Sequence, residues 1–121
     1  MANVENGALQ SAIDNAAVGE TVVLIENITL ASRVTVSNVV TIDLNGYTIV
    51  GDINDGYGAI YVGTKGVLTI KDSSNKQTGG IVNTVGCYIT IFGDSLGCII
   101  CICVISSKYE TCFCWRCYVF N

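Results

Sequence analysis

Short runs of β-branched residues recur through residues 21–91 at intervals close to twenty residues. Similar runs begin at residues 22, 40, 67 and 89, and a second series begins at residues 34, 60 and 81. Gly, Asn, Asp or Ser separates each run from the next. Long hairpin strands do not give this spacing, whereas a chain that returns to the same place after each circuit does. The pattern therefore predicts a solenoid whose circuits, here called rungs, stack short strands into parallel sheets.

Alternation within each run predicts which side chains face the interior, because successive side chains of a strand point to opposite faces of the sheet. In the run at residues 40–44 the apolar side chains are expected inward, with Thr41 and Asp43 outward. The same reasoning applies to the run at residues 67–70. The expected inward residues of these two runs are Val40, Ile42, Leu44, Leu68 and Ile70.

A single apolar stripe at helical spacing precedes the first run. Asn6 is its expected N-cap and Gly19 its expected C-terminal stop, which gives a helix of about eleven residues. A helix this short is marginal on its own and needs a surface to cover. The stripe consists of Ala8, Leu9, Ala12, Ile13, Ala16 and Ala17.

Residues 8–16 followed by residues 19–24 resemble the opening of right-handed parallel β-helix proteins of the pectate-lyase-like superfamily, in which a capping helix precedes the first rung. Residues 40–49 are similar to a rung motif of bacterial surface and phage tail members, and residues 66–74 and 79–82 resemble the next rung. The resemblance implies an all-β fold, a short right-handed parallel β-helix (solenoid) of about three to four rungs with an N-terminal capping α-helix.

The resemblance spans about residues 6–85 and implies a non-catalytic structural or adhesive module. Such a module would be a fragment of a larger surface or phage tail protein with a carbohydrate-type ligand. The fold itself does not specify an activity, because it hosts lyases, hydrolases, adhesins and tailspikes. The resemblance also implies a cell-surface, secreted or virion location. The first residues lack the basic and apolar segments of a signal peptide, so none is predicted.

Asp43, Asp52 and Asp72 are the acidic residues considered for catalysis by a polysaccharide lyase or hydrolase. Enzymes of the superfamily use an acidic cluster with calcium and a basic residue, or several aspartates on neighbouring rungs. The chain has no His, and the hydrolase-type motifs Asn-Thr-Asp, Asp-Asp and Gly-His-Gly are absent. Asp43 precedes an Asn-Gly turn and Asp72 a Ser-Ser-Asn loop, which is typical of solvated turn residues. We therefore expect a non-catalytic protein, with a lyase or hydrolase remnant as the alternative.

Tyr47, Tyr57 and Tyr61 are the candidates for contact with a carbohydrate, because aromatic side chains on the outside of a solenoid often serve binding. Tyrosine is also an ordinary strand residue, which is the alternative interpretation. The net charge is −4 and the six Lys and Arg are scattered, so a nucleic-acid partner is not expected. No cofactor is predicted.

The tail, residues 87–121, holds all seven cysteines and the only Trp. Cys98, Cys101, Cys114 and Cys117 form two C-x-x-C pairs, as in a tetrahedral zinc site, but the pairs lack the Gly that lets a backbone wrap a metal. Disulfides are a second interpretation, although seven is an odd number. In a third, the tail is translated out of frame with the ancestral gene, since a shifted frame reads Cys codons as Ala or Val. In a fourth, it is a diverged last rung or cap that packs as hydrophobic filler.

The chain is therefore expected to have two parts, a capping helix with β-helix rungs at residues 1–86 and the cysteine-rich tail at residues 87–121. The apolar stretch at residues 98–105 is too short to span a bilayer, which needs about twenty residues. The last rung of a solenoid exposes unpaired strand edges. The β-branched run at residues 99–102 is expected to cover that end or to promote self-association through the open β-helix end.

Overall fold

The computed structural model describes residues 2–53, 59–63, 65–75, 78–83, 91–93, 99–102 and 116–118, with the backbone alone from residue 83 onward. These residues form one helix and twelve strands. In chain order they are β1 (Ala2–Val4), α1 (Leu9–Asp14), β2 (Glu20–Leu24), β3 (Ile28–Thr29), β4 (Val34–Val36), β5 (Val39–Asp43), β6 (Thr48–Gly51), β7 (Ile60–Val62), β8 (Val67–Lys71), β9 (Gly80–Asn83), β10 (Ile91–Gly93), β11 (Ile99–Ile102) and β12 (Arg116–Tyr118).

The strands form three sheets in which all pairings but one are parallel. The first sheet has the order β1-β2-β5-β8-β11-β12, the second β3-β6-β9 and the third β10-β7-β4. From β2 to β11 the chain visits the first, second and third sheets in strict rotation. We call each passage of the chain through the three sheets a rung, so the rungs are β2 to β4, β5 to β7 and β8 to β10. The antiparallel pair is that of β11 with β12, at the end of the first sheet.

Aliphatic side chains of successive rungs align with one another and form the core. Neighbouring strands lie about 4.8 Å apart, so each of these side chains packs directly on its counterpart in the next rung. Burial of one such side chain stabilises the fold by about 1.5–3 kcal/mol. The aligned, buried residues are Val22, Ile42 and Ile70 in the first sheet, Ile28, Ile49 and Ile81 in the second, and Val34 and Ile60 in the third.

The inward residues predicted from alternation are confirmed, since Val40, Ile42, Leu44, Leu68 and Ile70 are all at most 1% exposed. The outward prediction for Asp43 is wrong, because this residue is only 4% exposed. Asp43 is the last residue of β5, where the chain leaves the sheet and turns. Its carboxylate accepts hydrogen bonds from the backbone of the turn and is buried with it.

The last members of the two predicted series lie in other sheets than the spacing suggested. The run near residue 89 contributes β10, which pairs with β7 in the third sheet, while β11 continues the first sheet beside β8. The run at residue 81 forms β9, which pairs with β6 in the second sheet and not with β7. The connections between strands differ in length, so spacing alone does not identify the sheet to which a run belongs.

The helix is shorter than the apolar stripe predicts, with six residues, Leu9–Asp14. Asn6 is not its N-cap, since Ala8 occupies that position and no described side chain caps the helix. Asn15 ends the helix, and Gly19 instead lies in the turn before β2, with φ +78°. The short strand β1, which pairs with β2, precedes the helix and has no counterpart in the sequence-based predictions.

The helix covers the first rung through Leu9 and Ile13, which are at most 2% exposed. The Asn38 side chain donates from Nδ2 to the carbonyl oxygen of Ile13 at 2.8 Å and fixes the end of the helix to the connection between β4 and β5. Within the described ranges, no helix combines the length and apolar character that crossing a membrane would require.

Side-chain amides pair with the strand edges at the N-terminal end of the second and third sheets. Gln10 donates from Nε2 to the Thr35 carbonyl oxygen and accepts at Oε1 from the Thr35 N–H, both at 2.8 Å. The amide group thus pairs with β4 as a further strand would. Asn6 Oδ1 accepts from the N–H of Thr29 in β3 at 2.9 Å. These contacts occupy edge groups that would otherwise be available to another chain.

Two glycines before β8 provide a matched test of this packing. A Cβ added to Gly66 would lie 2.3 Å from the Val36 carbonyl oxygen and 2.8 Å from Val62 Cγ1, whereas one added to Gly63 would lie 3.6 Å from the same oxygen. We expect Gly66→Ala to lower the free energy of unfolding by about 1–3 kcal/mol or more, as overpacking does. Gly63→Ala should change it by less than about 1 kcal/mol. Urea unfolding followed by circular dichroism measures both, and equal effects would contradict the packing described.

Candidate functional site

The chain passes from the first sheet to the second through a tight turn at residues 44–47. Asn45 and Gly46 have φ of +50° and +84°, and the Tyr47 N–H donates to the Leu44 carbonyl oxygen at 2.8 Å. Two successive positive φ values are the signature of a type I′ turn, for which Asn-Gly is the favoured sequence. The turn places the backbone N–H groups of Asn45 and Gly46 beside the two buried aspartates.

Asp43 ends β5 and Asp72 follows β8, one position beyond Lys71, which is the register partner of Asp43. Each aspartate accepts from its own turn and from the turn of the neighbouring rung. Asp43 Oδ1 accepts from the N–H of Asn45 and from the N–H of Ser73, both at 3.0 Å. Asp72 Oδ1 accepts from the N–H of Ser74 and from the N–H of Gly46, both at 2.9 Å. The two rungs are therefore joined in both directions by carboxylate-to-backbone hydrogen bonds.

Asp72 makes two further contacts. Its Oδ1 accepts from the Ser74 hydroxyl at 2.6 Å, and its Oδ2 accepts from the Gly79 N–H at 2.7 Å. Gly79 is required here, because a Cβ would lie 2.6 Å from Leu44 Cβ and 2.7 Å from Asp72 Oδ2. The group formed by these residues is called the aspartate corner and consists of Asp43, Asn45, Gly46, Asp72, Ser73, Ser74 and Gly79.

The environment of Asp72 favours its ionised form. Burial alone would raise the pKa of this carboxyl, but the hydrogen bonds from the Ser74 hydroxyl and from the N–H groups of Ser74, Gly79 and Gly46 outweigh burial and lower the pKa below its ordinary value. A carboxylate held ionised in this way is a poor general acid at neutral pH. Its lone pairs are directed at the protein's own backbone, which leaves little capacity for calcium or substrate.

Further polar contacts extend the aspartate corner along the molecule. Asn45 donates from Nδ2 to the Leu24 carbonyl oxygen at 3.1 Å, in the rung before it. Asn27 Oδ1 accepts from the Thr48 N–H at 2.9 Å across the same pair of rungs. These contacts escaped the sequence-based predictions. The available signal was the placement of Asn and Asp after the first-sheet runs, where side chains replace ladder hydrogen bonds.

The structure brings two of the three acidic candidates together and separates the third. Asp43 and Asp72 share the aspartate corner and are only 4% and 5% exposed, so their interpretation as solvated turn residues is wrong. Asp52 is exposed and follows β6 in the second sheet, away from the turns that hold the other two. Lys71 is the described basic residue beside these turns; it is exposed and lies in register with Asp43. The contacts of Asp43 and Asp72 with the turns are those of structural carboxylates.

The tyrosine candidates do not form one face. Tyr47 is half-buried, packs against the core and precedes β6 of the second sheet. Tyr61 is half-buried in β7 of the third sheet, in register with Thr35 and with position 92. Tyr57 lies outside the described residues. Any contact of Tyr61 with a ligand would therefore be made on the outer face of the third sheet, separately from Tyr47.

The zinc candidates lie in the tail, where only parts of the backbone are described. Cys101 is in β11 and pairs with Arg116, while Cys117 is in β12 and pairs with Ile100, so these two cysteines are not register partners. Cys98 and Cys114 lie outside the described residues. Among the residues whose positions are described, no group of three or more His, Cys, Asp or Glu is arranged to hold a metal ion.

A small groove lies between the start of α1 and the connection from β3 to β4. Its volume is about 150 Å³, and Arg33 is the charged residue of its lining, which comprises Gly7, Leu9, Gln10 and residues 28–34. Sites for small organic ligands usually enclose about 300–1,000 Å³. The groove is therefore too small for a sugar-sized ligand to be enclosed.

Comparisons with protein-family models, with curated proteins and with solved structures find no match to this chain.

Asp72→Asn tests the structural role of the aspartate corner. The amide keeps the shape of the side chain but turns one acceptor oxygen into a donor that faces backbone N–H groups. We expect the free energy of unfolding to fall by about 2–4 kcal/mol, since a buried hydrogen bond to a charged group contributes about 1.5–3 kcal/mol. Glu5→Gln, at an exposed carboxylate, is the matched control and should change stability by less than about 0.5 kcal/mol. Equal effects in urea unfolding would contradict this role.

The lowered pKa of Asp72 predicts a pH dependence of stability. The ordinary pKa near 3.8 applies to the unfolded chain, which therefore binds a proton before the folded chain does as the pH falls. The stabilisation by Asp72 is complete above that ordinary value and is lost as the pH falls through the lower folded-state pKa. We expect the urea midpoint to decline between about pH 5 and pH 2, and to decline less steeply in Asp72→Asn. Parallel curves would show that Asp72 is not the titrating group.

Proposed function

We propose that this chain is a non-catalytic structural or adhesive module, built as a short right-handed parallel β-helix with α1 as its N-terminal cap. The rotation of the chain through three parallel sheets supports this architecture, as does the alignment of aliphatic residues from rung to rung. Solenoids of this kind gain stability from the contact of each rung with its neighbours and offer extended outer faces.

The non-catalytic part of the proposal rests on Asp43 and Asp72, whose carboxylates accept hydrogen bonds from backbone N–H groups. Catalysis by carboxylates requires oxygens that can reach a substrate or an activated water. In the aspartate corner, Asp72 accepts four hydrogen bonds from the chain itself and is 5% exposed. Both acids of the aspartate corner therefore hold turns.

A carbohydrate is the ligand class that we propose for the adhesive function, following the resemblance to bacterial surface and phage tail proteins. The outer face of the third sheet supports this choice, because it carries the ring of Tyr61 next to Thr35 on the adjacent strand. An aromatic ring and a neighbouring hydroxyl offer a stacking surface and a hydrogen-bonding group for a sugar. The expected site is a shallow outer surface, because the groove beside α1 is too small to enclose a sugar.

Incubation with acidic and neutral polysaccharides tests the proposed function directly. We expect retention of the chain on at least one immobilised polysaccharide and no formation of unsaturated or reducing ends. Tyr61→Ser should weaken binding about tenfold, which corresponds to about 1.4 kcal/mol and is within the range of an aromatic contact. Val18→Ser is the control, because Val18 is 85% exposed in the turn before β2.

New chain ends would contradict the non-catalytic proposal and favour a lyase or hydrolase. Absence of retention on every polysaccharide would contradict the carbohydrate ligand. Equal loss of binding in Tyr61→Ser and Val18→Ser would contradict the assignment of the outer face of the third sheet.

A further inference from the structure

The chain contains two Asn-Gly dipeptides, Asn6-Gly7 and Asn45-Gly46. In this sequence the backbone nitrogen of Gly can attack the side-chain amide of the preceding Asn, because Gly has no Cβ to hinder the approach. The two dipeptides have the same local chemistry, so any difference in their reactivity arises from the fold around them.

The reaction at such a dipeptide is spontaneous deamidation. The Gly nitrogen forms a bond to Asn Cγ, and the side-chain nitrogen leaves as ammonia, which closes a five-membered succinimide. One water molecule then opens the ring at either carbonyl and gives aspartate or isoaspartate. The overall change consumes water, releases ammonia and adds one negative charge.

The fold holds both reacting groups of Asn45-Gly46. The Gly46 N–H donates to Asp72 Oδ1 at 2.9 Å, and the Asn45 side-chain nitrogen donates to the Leu24 carbonyl oxygen at 3.1 Å. Attack by the Gly46 nitrogen on Asn45 Cγ would break these hydrogen bonds and leave the buried Asp72 carboxylate short of a donor. Both the nucleophile and the leaving group are therefore restrained.

Asn6-Gly7 is in the opposite situation. Both residues are exposed, a Cβ on Gly7 would meet no atom within 4 Å, and the described part of the chain provides no acceptor for the Gly7 N–H. In addition, the Thr29 N–H donates to Asn6 Oδ1 at 2.9 Å. This oxygen is the atom on which negative charge develops when Cγ is attacked, so the hydrogen bond stabilises the tetrahedral intermediate.

We propose that Asn6 is a site of spontaneous deamidation and that Asp72 protects Asn45 from the same reaction. Isoaspartate at position 6 would insert a methylene group into the main chain between β1 and α1. It would also add a negative charge close to the Glu26 carboxylate, which accepts from the Asn6 N–H at 3.0 Å. Modification of Asn6 would therefore loosen the contacts at the N-terminal end of the second sheet.

Peptide mapping by mass spectrometry, after incubation of the whole chain in mildly alkaline buffer, tests the proposal. In the folded chain we expect Asn6 to deamidate at least about tenfold faster than Asn45, equivalent to about 1.4 kcal/mol in activation free energy. In concentrated urea the two rates should become similar, because the fold no longer distinguishes the sites. This comparison needs no variant, so it holds even if a substitution prevents folding.

Asp72→Asn provides the second measurement. It should raise the deamidation rate at Asn45 about tenfold without changing the rate at Asn6, while the control Glu5→Gln should leave Asn45 unchanged. Equal rates at Asn6 and Asn45 in the folded chain, or faster reaction at Asn45, would overturn the proposal. An unchanged Asn45 rate in a folded Asp72→Asn variant would overturn the protective role of Asp72.

Discussion

Buried carboxylates at the corner between the first and second sheets hold successive rungs together. Parallel strands satisfy their N–H and C=O groups along the sheets, but the ladder stops where the chain turns, and the turn amides need other acceptors. Asp72 accepts from its own turn and from Gly46 one rung earlier, and Asp43 accepts from Ser73 one rung later. By holding successive rungs in register, these turns keep the aliphatic core residues of one rung packed on their counterparts in the next.

The same contacts explain why the acidic residues are better suited to structure than to catalysis. Asp72, whose hydrogen bonds favour its ionised form and whose oxygens accept four donors of the chain, stabilises the turns and is a poor general acid at neutral pH. At the N-terminal end, neutral side chains also satisfy backbone groups. The side-chain amides of Gln10 and Asn6 hydrogen-bond to the edges of β4 and β3.

Much of the strand arrangement could be predicted from the sequence, because alternation of period two and the Asn-Gly turn are local signals. The inward positions from Val40 to Leu44 and at Leu68 and Ile70 follow from alternation alone. The assignment of β9 and β10 to sheets could not be predicted, since it depends on the lengths of connections whose paths the sequence does not specify. Alternation also predicted the wrong face for Asp43, because this residue is the last of β5 and turns inward with the chain.

The candidate site was predictable in part. The sequence singled out Asp43 and Asp72, but it indicated solvated turns, because a local pattern does not show that the next rung covers a side chain. The separation of Tyr47 from Tyr61 likewise depends on the order of strands in space. An Asp followed two residues later by Asn or Ser, repeated on successive rungs, was the available signal for the aspartate corner.

Amide hydrogen exchange at Gly46 and Gly79, resolved by NMR, is the most direct test of the claim that Asp72 joins neighbouring rungs. Both N–H groups donate to this one carboxylate, at 2.9 Å and 2.7 Å, although both residues lie in turns. We expect these two amides to exchange as slowly as amides within β5, and both to lose this protection together in Asp72→Asn. Exchange at the rate of exposed turn amides in the unmodified protein would contradict it.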